Sequence, residues 1–247
     1  MTDSHSQPFD LLGYSSNQFD VLLCLDGDLH ATKDFFDNFK DSIIIAADGA
    51  AHKLQQFDIS PSFIIGDLDS FYVSKNENKF SQSTIINISD QESNDFEKCL
   101  IFCQECCYTD ILICGFHGGI AEHTLNNWSV LMRHSHSLNL CVYEKGRYAI
   151  PLRKSVQFHS EKGEIISLIP QPRAKVTTSG LQWNLVNEYL ELGVREGARN
   201  CALSENVSIE IHEGNLLLFC NSHIPQRPFF ISSNYLLFLV MFKIFLM

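Results

Sequence analysis

Two aspartates, Asp67 and Asp69, follow a short apolar run in FIIGDLDS, with one residue between them. In an extended segment, residues i and i+2 point to the same side, so both carboxylates can reach one ion. Further acids follow neighbouring apolar runs: Asp48 in ADG, then Asp90, Glu92 and Asp95 in SDQESNDFEK. If these runs are neighbouring strands of one parallel sheet, the acids all stand at the same sheet edge.

Carboxylates that converge in this way repel one another unless a cation lies between them. Mg²⁺ prefers oxygen ligands and is commonly held by one or two carboxylates together with substrate phosphates. The pattern therefore predicts a magnesium site that handles phosphates. The alternative for each acid taken singly is that it caps a helix or a turn.

A predicted helix start beside these acids offers contacts to a phosphate. Asn94 is placed to cap the helix, with Glu97 three residues on as in a capping box. The free N–H groups of a helix start bind anions. Lys98 adds a positive charge one turn later, the alternative being a solvated lysine.

A glycine-rich loop in GFHGGIAEHTLNN is a second candidate for phosphate contacts, although it lacks the Gly-Lys-Ser/Thr of a Walker motif. Gly118 and Gly119 allow the loop to wrap a phosphate. His123 and Asn127 follow at i, i+4 spacing and share one helix face. We expect all four residues to contact the ligand.

The elements that must position these residues alternate between strands and helices up to about residue 150. Strands alternating with helices predict parallel βαβ units. The fold expected is therefore α/β, with an N-terminal Rossmann-like parallel-sheet domain over residues 1–150. Its six predicted strands are apolar throughout, which suits strands covered on both faces, and span residues 21–25, 42–47, 62–65, 83–88, 110–114 and 138–143.

After residue 150 the pattern changes to short β-type runs separated by glycine, proline and polar turns. It predicts a small C-terminal β-sandwich over residues 151–225, in which LQWNLVNEYLEL (181–192) is the one candidate helix. For the apolar tail, residues 226–247, three interpretations stay open: a packed or interface segment, a membrane-surface tail or a frame-shifted ending. No stable membrane insertion is expected, because its clean apolar run is far shorter than the ~20 residues of a spanning helix.

Composition narrows the class of protein. The chain has 247 residues, 18 basic against 29 acidic, and no Lys/Arg-rich run, which argues against nucleic acid as a partner. Nine cysteines, mostly inside apolar segments, predict reduced thiols and a cytoplasmic location, and the polar start lacks the pattern of a signal peptide. The tightest cysteine group is Cys99, Cys103, Cys106 and Cys107. It is predicted to belong to a packed helix face and not to a zinc site, and the residues at helical spacing on that face are Phe96, Cys99, Leu100, Cys103 and Cys107.

Taken together, these motifs resemble thiamine pyrophosphokinase, the family that makes thiamine diphosphate and AMP from thiamine and ATP. The matching segments run in order over roughly residues 20–220: ADGAAHKL, PSFIIGDLDS, DQESNDFEKCL, GGIAEHTLNN, ISLIP and TSGLQWNL. The resemblance implies an α/β domain that binds Mg²⁺ and ATP, followed by a β-sandwich. It also implies a homodimer with thiamine held between the subunits.

The resemblance implies roles for individual residues as well. Asp48 is assigned to the thiamine hydroxyethyl end, Trp183 to stacking on thiamine and Ser204 to a polar contact with it. Without the resemblance, Trp183 would be predicted to lie in the β-sandwich core. The proton of the thiamine hydroxyl goes to Asp48 or Asp69, between which the sequence does not choose. The catalytic set is Asp48, Asp67, Asp69 and Asp95, the metal set is Asp67, Asp69, Asp90, Glu92 and Asp95, and the nucleotide set is Asn94, Lys98, Gly118, Gly119, His123 and Asn127.

Two residues depart from the pattern of the family's glycine segment. Ile120 stands where the family has arginine, and Glu122 where it has aspartate. The loss of a bidentate phosphate donor predicts weaker affinity for ATP, unless another basic residue takes the place of the arginine. Two alternatives to the pyrophosphokinase stay open. One is a metal-dependent phosphohydrolase, because Asp-x-Asp at strand ends also serves hydrolysis, and the other is a non-catalytic protein that binds thiamine or a nucleotide, which Ile120 and Glu122 make plausible.

Overall fold

The computed structural model describes residues 9–73 and 77–232, and the last part of the predicted apolar tail, from residue 233, lies outside them. The chain divides into two compact units. One, here called the α/β unit, comprises Ser16–Tyr148 and Ser222–Arg227. The other, the β unit, comprises residues 9–15, Ala149–Asn221 and residues 228–232.

Six strands of the α/β unit form a parallel sheet. Strands are numbered along the chain, and β1 (Asp10–Ser15) belongs to the β unit. The sheet order is β7-β6-β2-β3-β4-β5, and each strand is parallel to its neighbours. These strands confirm all six predicted runs, and they are β2 (Val21–Cys24), β3 (Ile43–Ala47), β4 (Phe63–Gly66), β5 (Thr84–Asn87), β6 (Asp110–Cys114) and β7 (Asn139–Glu144).

The register of this sheet places apolar side chains opposite one another. Leu22 of β2 lies between Ile44 of β3 and Leu112 of β6. Every residue of β2 and of β6 is buried, as expected for strands covered on both faces, whereas the edge strand β5 is mostly exposed. The strand order reverses between β2 and β6, which is where open α/β sheets bind ligands.

Helices connect the strands of this sheet. They are α1 (Lys33–Asp37), α2 (Ala50–Gln55), α3 (Asp69–Val73), α4 (Asp95–Glu105) and α5 (Ala121–His134), with a 3₁₀ turn at Glu77–Phe80. Among the described residues, no helix is both long enough and apolar enough to cross a membrane.

Helix α4 packs on β3 and β4 through the predicted cysteine face. Phe96, Cys99, Leu100 and Cys103 are buried, which confirms four of the five residues of that face. The prediction for the fifth residue was wrong, because Cys107 lies beyond the end of the helix, has a left-handed backbone (φ 60°) and is exposed.

The β unit is built on two long antiparallel strands. β10 (Ile165–Ser179) pairs with β13 (Asn206–Asn221), and buried residues alternate along much of both strands. β11 (Glu188–Glu191) and β12 (Gly197–Cys201) pair antiparallel with β10. β1 runs parallel to β9 (Val156–His159), which pairs antiparallel with β13, while β8 (Arg147–Leu152) and β14 (Arg227–Ile231) carry the chain between the two units.

The prediction of a helix over residues 181–192 was wrong. Asn187 has a left-handed backbone (φ 55°), which interrupts a helix, and the following residues form β11. Tyr189 lies opposite Lys175 in the ladder with β10. Pairing with a long neighbouring strand therefore overrides the apolar spacing that favoured a helix.

Candidate active site

A cavity of about 620 Å³ lies in the α/β unit at the carboxyl ends of the parallel strands. Its walls come from the segments that follow five strands of the sheet. They include Leu25–Gly27 after β2, Ala47 and Asp48 at the end of β3, Asp67 and Ser70 after β4, residues from Gln91 to Lys98 after β5, and residues from Gly115 to Asn127 after β6. The cavity thus occupies the point where the strand order reverses, between β2 and β6.

Three carboxylates meet in this cavity. Asp48, Asp67 and Asp95 each offer one oxygen, and these oxygens all lie within 4.8 Å of one another. Oxygen donors at that spacing suit a hard divalent cation such as Mg²⁺. Two of the three belong to the predicted metal set, whereas Asp48 had been assigned to thiamine.

Local backbone geometry fixes each member of this triad. Asp48 has a left-handed backbone (φ 45°), and its two carboxylate oxygens accept hydrogen bonds from the N–H groups of Ser70 (3.1 Å) and Phe71 (2.9 Å). Asp95 accepts a hydrogen bond from the N–H of Asp67 (3.3 Å). Gly66 leaves room for this close approach, since a Cβ at this position would lie 3.0 Å from the Asp95 carboxylate and 3.0 Å from Cβ of Asp48.

Lys98 supplies a positive charge beside the triad. Its side chain is only 3% exposed, and its Nζ lies 3.0 Å from Oδ1 of Asp95, so the interpretation as a solvated lysine was wrong. Burial raises the pKa of Asp95, Lys98 opposes that shift, and the carboxylates of Asp67 and Asp48 add to it. One ammonium among three carboxylates leaves an excess of negative charge that a bound cation would offset.

Asp69 lies outside the cavity although it is two residues from Asp67. Between them, Leu68 is fully buried and has a left-handed backbone (φ 67°), so the segment is not extended and the side chains do not share a side. Asp69 is exposed at the start of α3, and its backbone N–H donates to the Asp67 carboxylate (3.2 Å).

Of the two acids predicted after β5 and before α4, only one lines the cavity. Glu92 does so, whereas Asp90 is exposed and does not. The Asp90 carboxylate accepts hydrogen bonds from Oγ of Ser93 (2.5 Å) and from the N–H of Glu92 (3.0 Å). The Ser93 hydroxyl, followed by the Glu92 N–H, lowers the pKa of Asp90. These contacts are those of a turn-forming aspartate.

The residues predicted to contact the nucleotide line the same cavity. Asn94 is the N-cap of α4, as predicted: its Oδ1 accepts a hydrogen bond from the N–H of Glu97 (2.9 Å), and its Nδ2 donates to Oδ1 of Asn127 (3.1 Å). Gly118 (φ 102°), Gly119 (φ 70°) and His123 also lie in the wall. The cap of α4 is therefore joined directly to α5.

The segment that follows β2 also lines the cavity, although none of its residues was predicted to do so. Asp26 and Gly27 line the cavity, and Lys53 holds them, since its Nζ lies 3.0 Å from the Asp26 carboxylate and donates to the carbonyl oxygen of Gly27 (2.9 Å). A Cβ on Gly27 would lie 2.0 Å from the carbonyl oxygen of His117, so only glycine fits against the loop after β6. The signal available was an Asp-Gly pair directly after a predicted strand at the same sheet edge.

The two residues assigned to thiamine by resemblance, other than Asp48, lie in the β unit. Trp183 is 60% exposed, so its prediction as a core tryptophan in the absence of the resemblance was wrong. Its backbone is held by Asn200, whose side chain accepts from the Trp183 N–H (3.1 Å) and donates to its carbonyl oxygen (2.8 Å). Ser204 is exposed, and its hydroxyl donates to the carbonyl oxygen of Asn206 (2.9 Å).

Comparison with known proteins adds the following findings. Residues 37–142 match the family described as thiamin pyrophosphokinase, catalytic domain, and residues 148–216 match thiamin pyrophosphokinase, vitamin B1 binding domain. The chain is similar to thiamine pyrophosphokinase 1 of Arabidopsis thaliana, at 29% identity over 174 residues, and to thiamine pyrophosphokinase 1 of Oryza sativa subsp. japonica, at 30% over 163 residues. The matches cover 61% and 60% of this chain.

The two matched regions cover 61% and 62% of the lengths of the Arabidopsis and rice proteins. The chain therefore spans less than two thirds of the length of these curated relatives. Among solved structures, thiamine pyrophosphokinase from Bacillus subtilis has the same fold, with a TM-score of 0.69 at 18% identity. That match covers 83% of this chain and 100% of the other. The fold seen here is thus a known combination of a mixed sheet with helices.

The crowding of the triad predicts opposite effects of one substitution with and without metal. In EDTA, Asp67→Asn should unfold at the same temperature as the wild type or higher, because it removes one of three mutually repelling carboxylates. Mg²⁺ should raise the unfolding temperature of the wild type, since a ligand at a hundredfold excess over its Kd stabilises by about 2.7 kcal/mol. Asp67→Asn should lose that gain, as measured by thermal unfolding with and without MgCl₂.

Asp69→Asn is the matched control, because it makes the same change two residues away on an exposed carboxylate. It should respond to Mg²⁺ as the wild type does. Equal stabilisation of Asp67→Asn and wild type by Mg²⁺ would contradict a cation site at the triad.

Proposed function

Because this chain belongs to the thiamin pyrophosphokinase family, we propose that it transfers the diphosphoryl group of ATP to the hydroxyethyl group of thiamine, giving thiamine diphosphate and AMP. The observation that carries the proposal is the carboxylate triad of Asp48, Asp67 and Asp95 in the wall of a cavity large enough for a nucleotide. The catalytic and vitamin B1 binding matches follow each other along the chain, which supports one enzyme over either alternative.

In the proposed reaction, the thiamine hydroxyl oxygen forms a bond to the β-phosphorus of ATP. The bond between that phosphorus and the oxygen bridging to the α-phosphorus breaks, and AMP leaves with the bridging oxygen. The hydroxyl proton passes to a carboxylate. Of the two candidates for that base, Asp48 lines the cavity and Asp69 does not, which favours Asp48.

The donor set of the triad fits Mg²⁺, because all three ligands are carboxylate oxygens. Asp48, Asp67 and Asp95 would hold the ion, and Glu92 lines the same cavity. Bound there, Mg²⁺ would neutralise charge on the phosphates during transfer. The resemblance adds Asp69 and Asp90 to the metal set, but neither lines the cavity, so the proposed ligands of the ion are the three carboxylates of the triad.

The chain's own groups would bind and orient the polyphosphate. The N–H groups at the start of α4 face the same cavity as Gly118 and Gly119, and both offer backbone donors to phosphate oxygens. Lys98 would contribute its ammonium from the side of Asp95. His123 and Asn127, one turn apart on α5, would contact the nucleotide.

The finer description of the fold is part of the proposal. For the Rossmann-like domain expected over residues 1–150, the support is the parallel strand order with its reversal between β2 and β6, although residues 9–15 belong to the β unit. For the β-sandwich expected over residues 151–225, the support is the alternating burial along β10 and β13, although Ser222–Arg227 belong to the α/β unit. A cytoplasmic location is supported by nine cysteines that are all free.

A homodimer with thiamine held between the subunits is also proposed. Its support is that several apolar side chains of the β unit are exposed, among them Trp183 (60%), Val186 (75%) and Val194 (76%). If these side chains form one contiguous patch, a second copy of the chain could cover it. An indole face also suits the cationic thiazolium ring of thiamine, which Trp183 would stack on, with Ser204 as a polar contact.

The direct test is product formation from ATP, Mg²⁺ and thiamine. We expect AMP and thiamine diphosphate in equal amounts, no product with EDTA, and at least a tenfold loss of turnover in Asp67→Asn at saturating Mg²⁺. Chromatographic quantification of both products against no-thiamine controls makes the measurement. Phosphate or AMP released without thiamine would instead indicate a phosphohydrolase, and thiamine binding without product would indicate a binding protein.

Trp183→Ala tests the thiamine assignment separately from catalysis. Because the side chain is 60% exposed, its removal should change the unfolding temperature little. Loss of ring stacking should raise KM for thiamine by about tenfold while KM for ATP stays the same. Val73→Ala, at an 80% exposed side chain of α3 outside the β unit, is the control for loss of exposed apolar surface. Equal KM values for thiamine in both variants would contradict the assignment.

A further inference from the structure

Glu97 of α4 makes a contact that its position in the sequence did not predict. A capping box would turn its side chain back to the N-cap residue. Instead its carboxylate accepts hydrogen bonds from NH1 of Arg133 (2.9 Å to Oε1 and 3.3 Å to Oε2) and lies 2.9 Å from Nε2 of His134. Both partners are at the end of α5.

The contact is largely withdrawn from water. The Glu97 side chain is 11% exposed and that of His134 is 13% exposed, whereas that of Arg133 is 55% exposed. Exposed charged pairs contribute little to stability, whereas loss of one partner of a buried pair is strongly destabilising because it leaves the other charge uncompensated. These hydrogen bonds therefore link the first turn of α4 to the last turn of α5.

A second contact between the two helices lies nearer the start of α5, where Asn94 donates a hydrogen bond to Asn127 (3.1 Å). Six residues separate Asn127 from Arg133, or about 9 Å along the axis at 1.5 Å per residue. His123 lies four residues on the other side of Asn127, about 6 Å away. Both contacts involve the start of α4, which also carries Asp95.

We propose that Glu97 is a positioning residue: by holding the end of α5, it fixes the nucleotide-binding start of that helix relative to the carboxylate triad. If the contact between Glu97 and Arg133 is lost, the end of α5 can move, and the helix can rotate about the contact at Asn127. A shift of about 1.5 Å at Arg133 then moves His123 by about 1 Å, from the ratio of the two lever arms. This inference rests on the proposed diphosphotransferase function.

A displacement of that size matters for transfer between two bound substrates. Misplacement by 1 Å can cost about a hundredfold in rate even when the change is remote from the reacting atoms. Glu97 itself does not line the cavity, so its effect would pass through Asn127 and His123. The nucleotide side of the reaction should be affected and the thiamine side should not.

Three variants test the inference. Glu97→Ala removes the contacts to Arg133 and His134. Glu97→Gln loses the charge but keeps an acceptor oxygen for Arg133. Arg133→Met acts from the half-exposed side, where misfolding is less of a risk than at buried Glu97. Glu105→Ala is the matched control, because it removes a glutamate from the exposed last turn of the same helix.

We expect Glu97→Ala to lower kcat by about 10- to 100-fold and to raise KM for ATP, with KM for thiamine unchanged. Glu97→Gln and Arg133→Met should show smaller losses in the same direction, and Glu105→Ala should match the wild type. Kinetics are measured well below the unfolding temperature of each variant. Amide hydrogen exchange over residues 121–127 should be faster in the Glu97 and Arg133 variants, most of all in Glu97→Ala, and unchanged in Glu105→Ala.

The possible outcomes separate the two claims. A wild type that makes no thiamine diphosphate overturns the proposed function, and this inference with it. An active wild type whose Glu97→Ala and Arg133→Met variants keep wild-type kcat and KM for ATP overturns the inference alone. Equal increases in KM for ATP and thiamine would also overturn it, because they would indicate general loosening.

Discussion

The convergence of three carboxylates at one edge of a parallel sheet is the constraint on which the rest of this site depends. Asp48, Asp67 and Asp95 hold oxygens within 4.8 Å of one another, and the buried ammonium of Lys98 pairs with only one of them. Such an arrangement is costly unless other contacts hold it, since like charges in a partly buried site repel. The backbone N–H bonds to Asp48 and the close approach allowed by Gly66 provide those contacts.

Helix α4 connects this electrostatic site to the rest of the fold. Its buried face packs on β3 and β4, so its first turn is held at the same sheet edge as the ends of those strands. That turn carries Asp95 and Lys98 toward the cavity and, at Asn94 and Glu97, the contacts to α5. A single turn of helix can therefore align the proposed metal site with the proposed nucleotide-binding segment.

The sequence predicted those features that depend on local pattern. All six parallel strands and the Asn94 cap followed from apolar runs and residue type, and the strand ends indicated where the acids gather. Features set by backbone geometry or tertiary contact were missed. The left-handed Leu68 separates Asp69 from Asp67, pairing with β10 makes β11 a strand, and Lys98 is buried by its partner Asp95. None of these has a signature in spacing alone.

The most direct test of the account is the position of the cation itself. A crystal of the protein with Mn²⁺ and a non-transferable ATP analogue, α,β-methylene-ATP, would locate the ion by its anomalous scattering, because Mn²⁺ accepts the same oxygen ligands as Mg²⁺. The account predicts an anomalous peak within bonding distance of oxygens from Asp48, Asp67 and Asp95. A peak at Asp69 or Asp90 with none at the triad would contradict it.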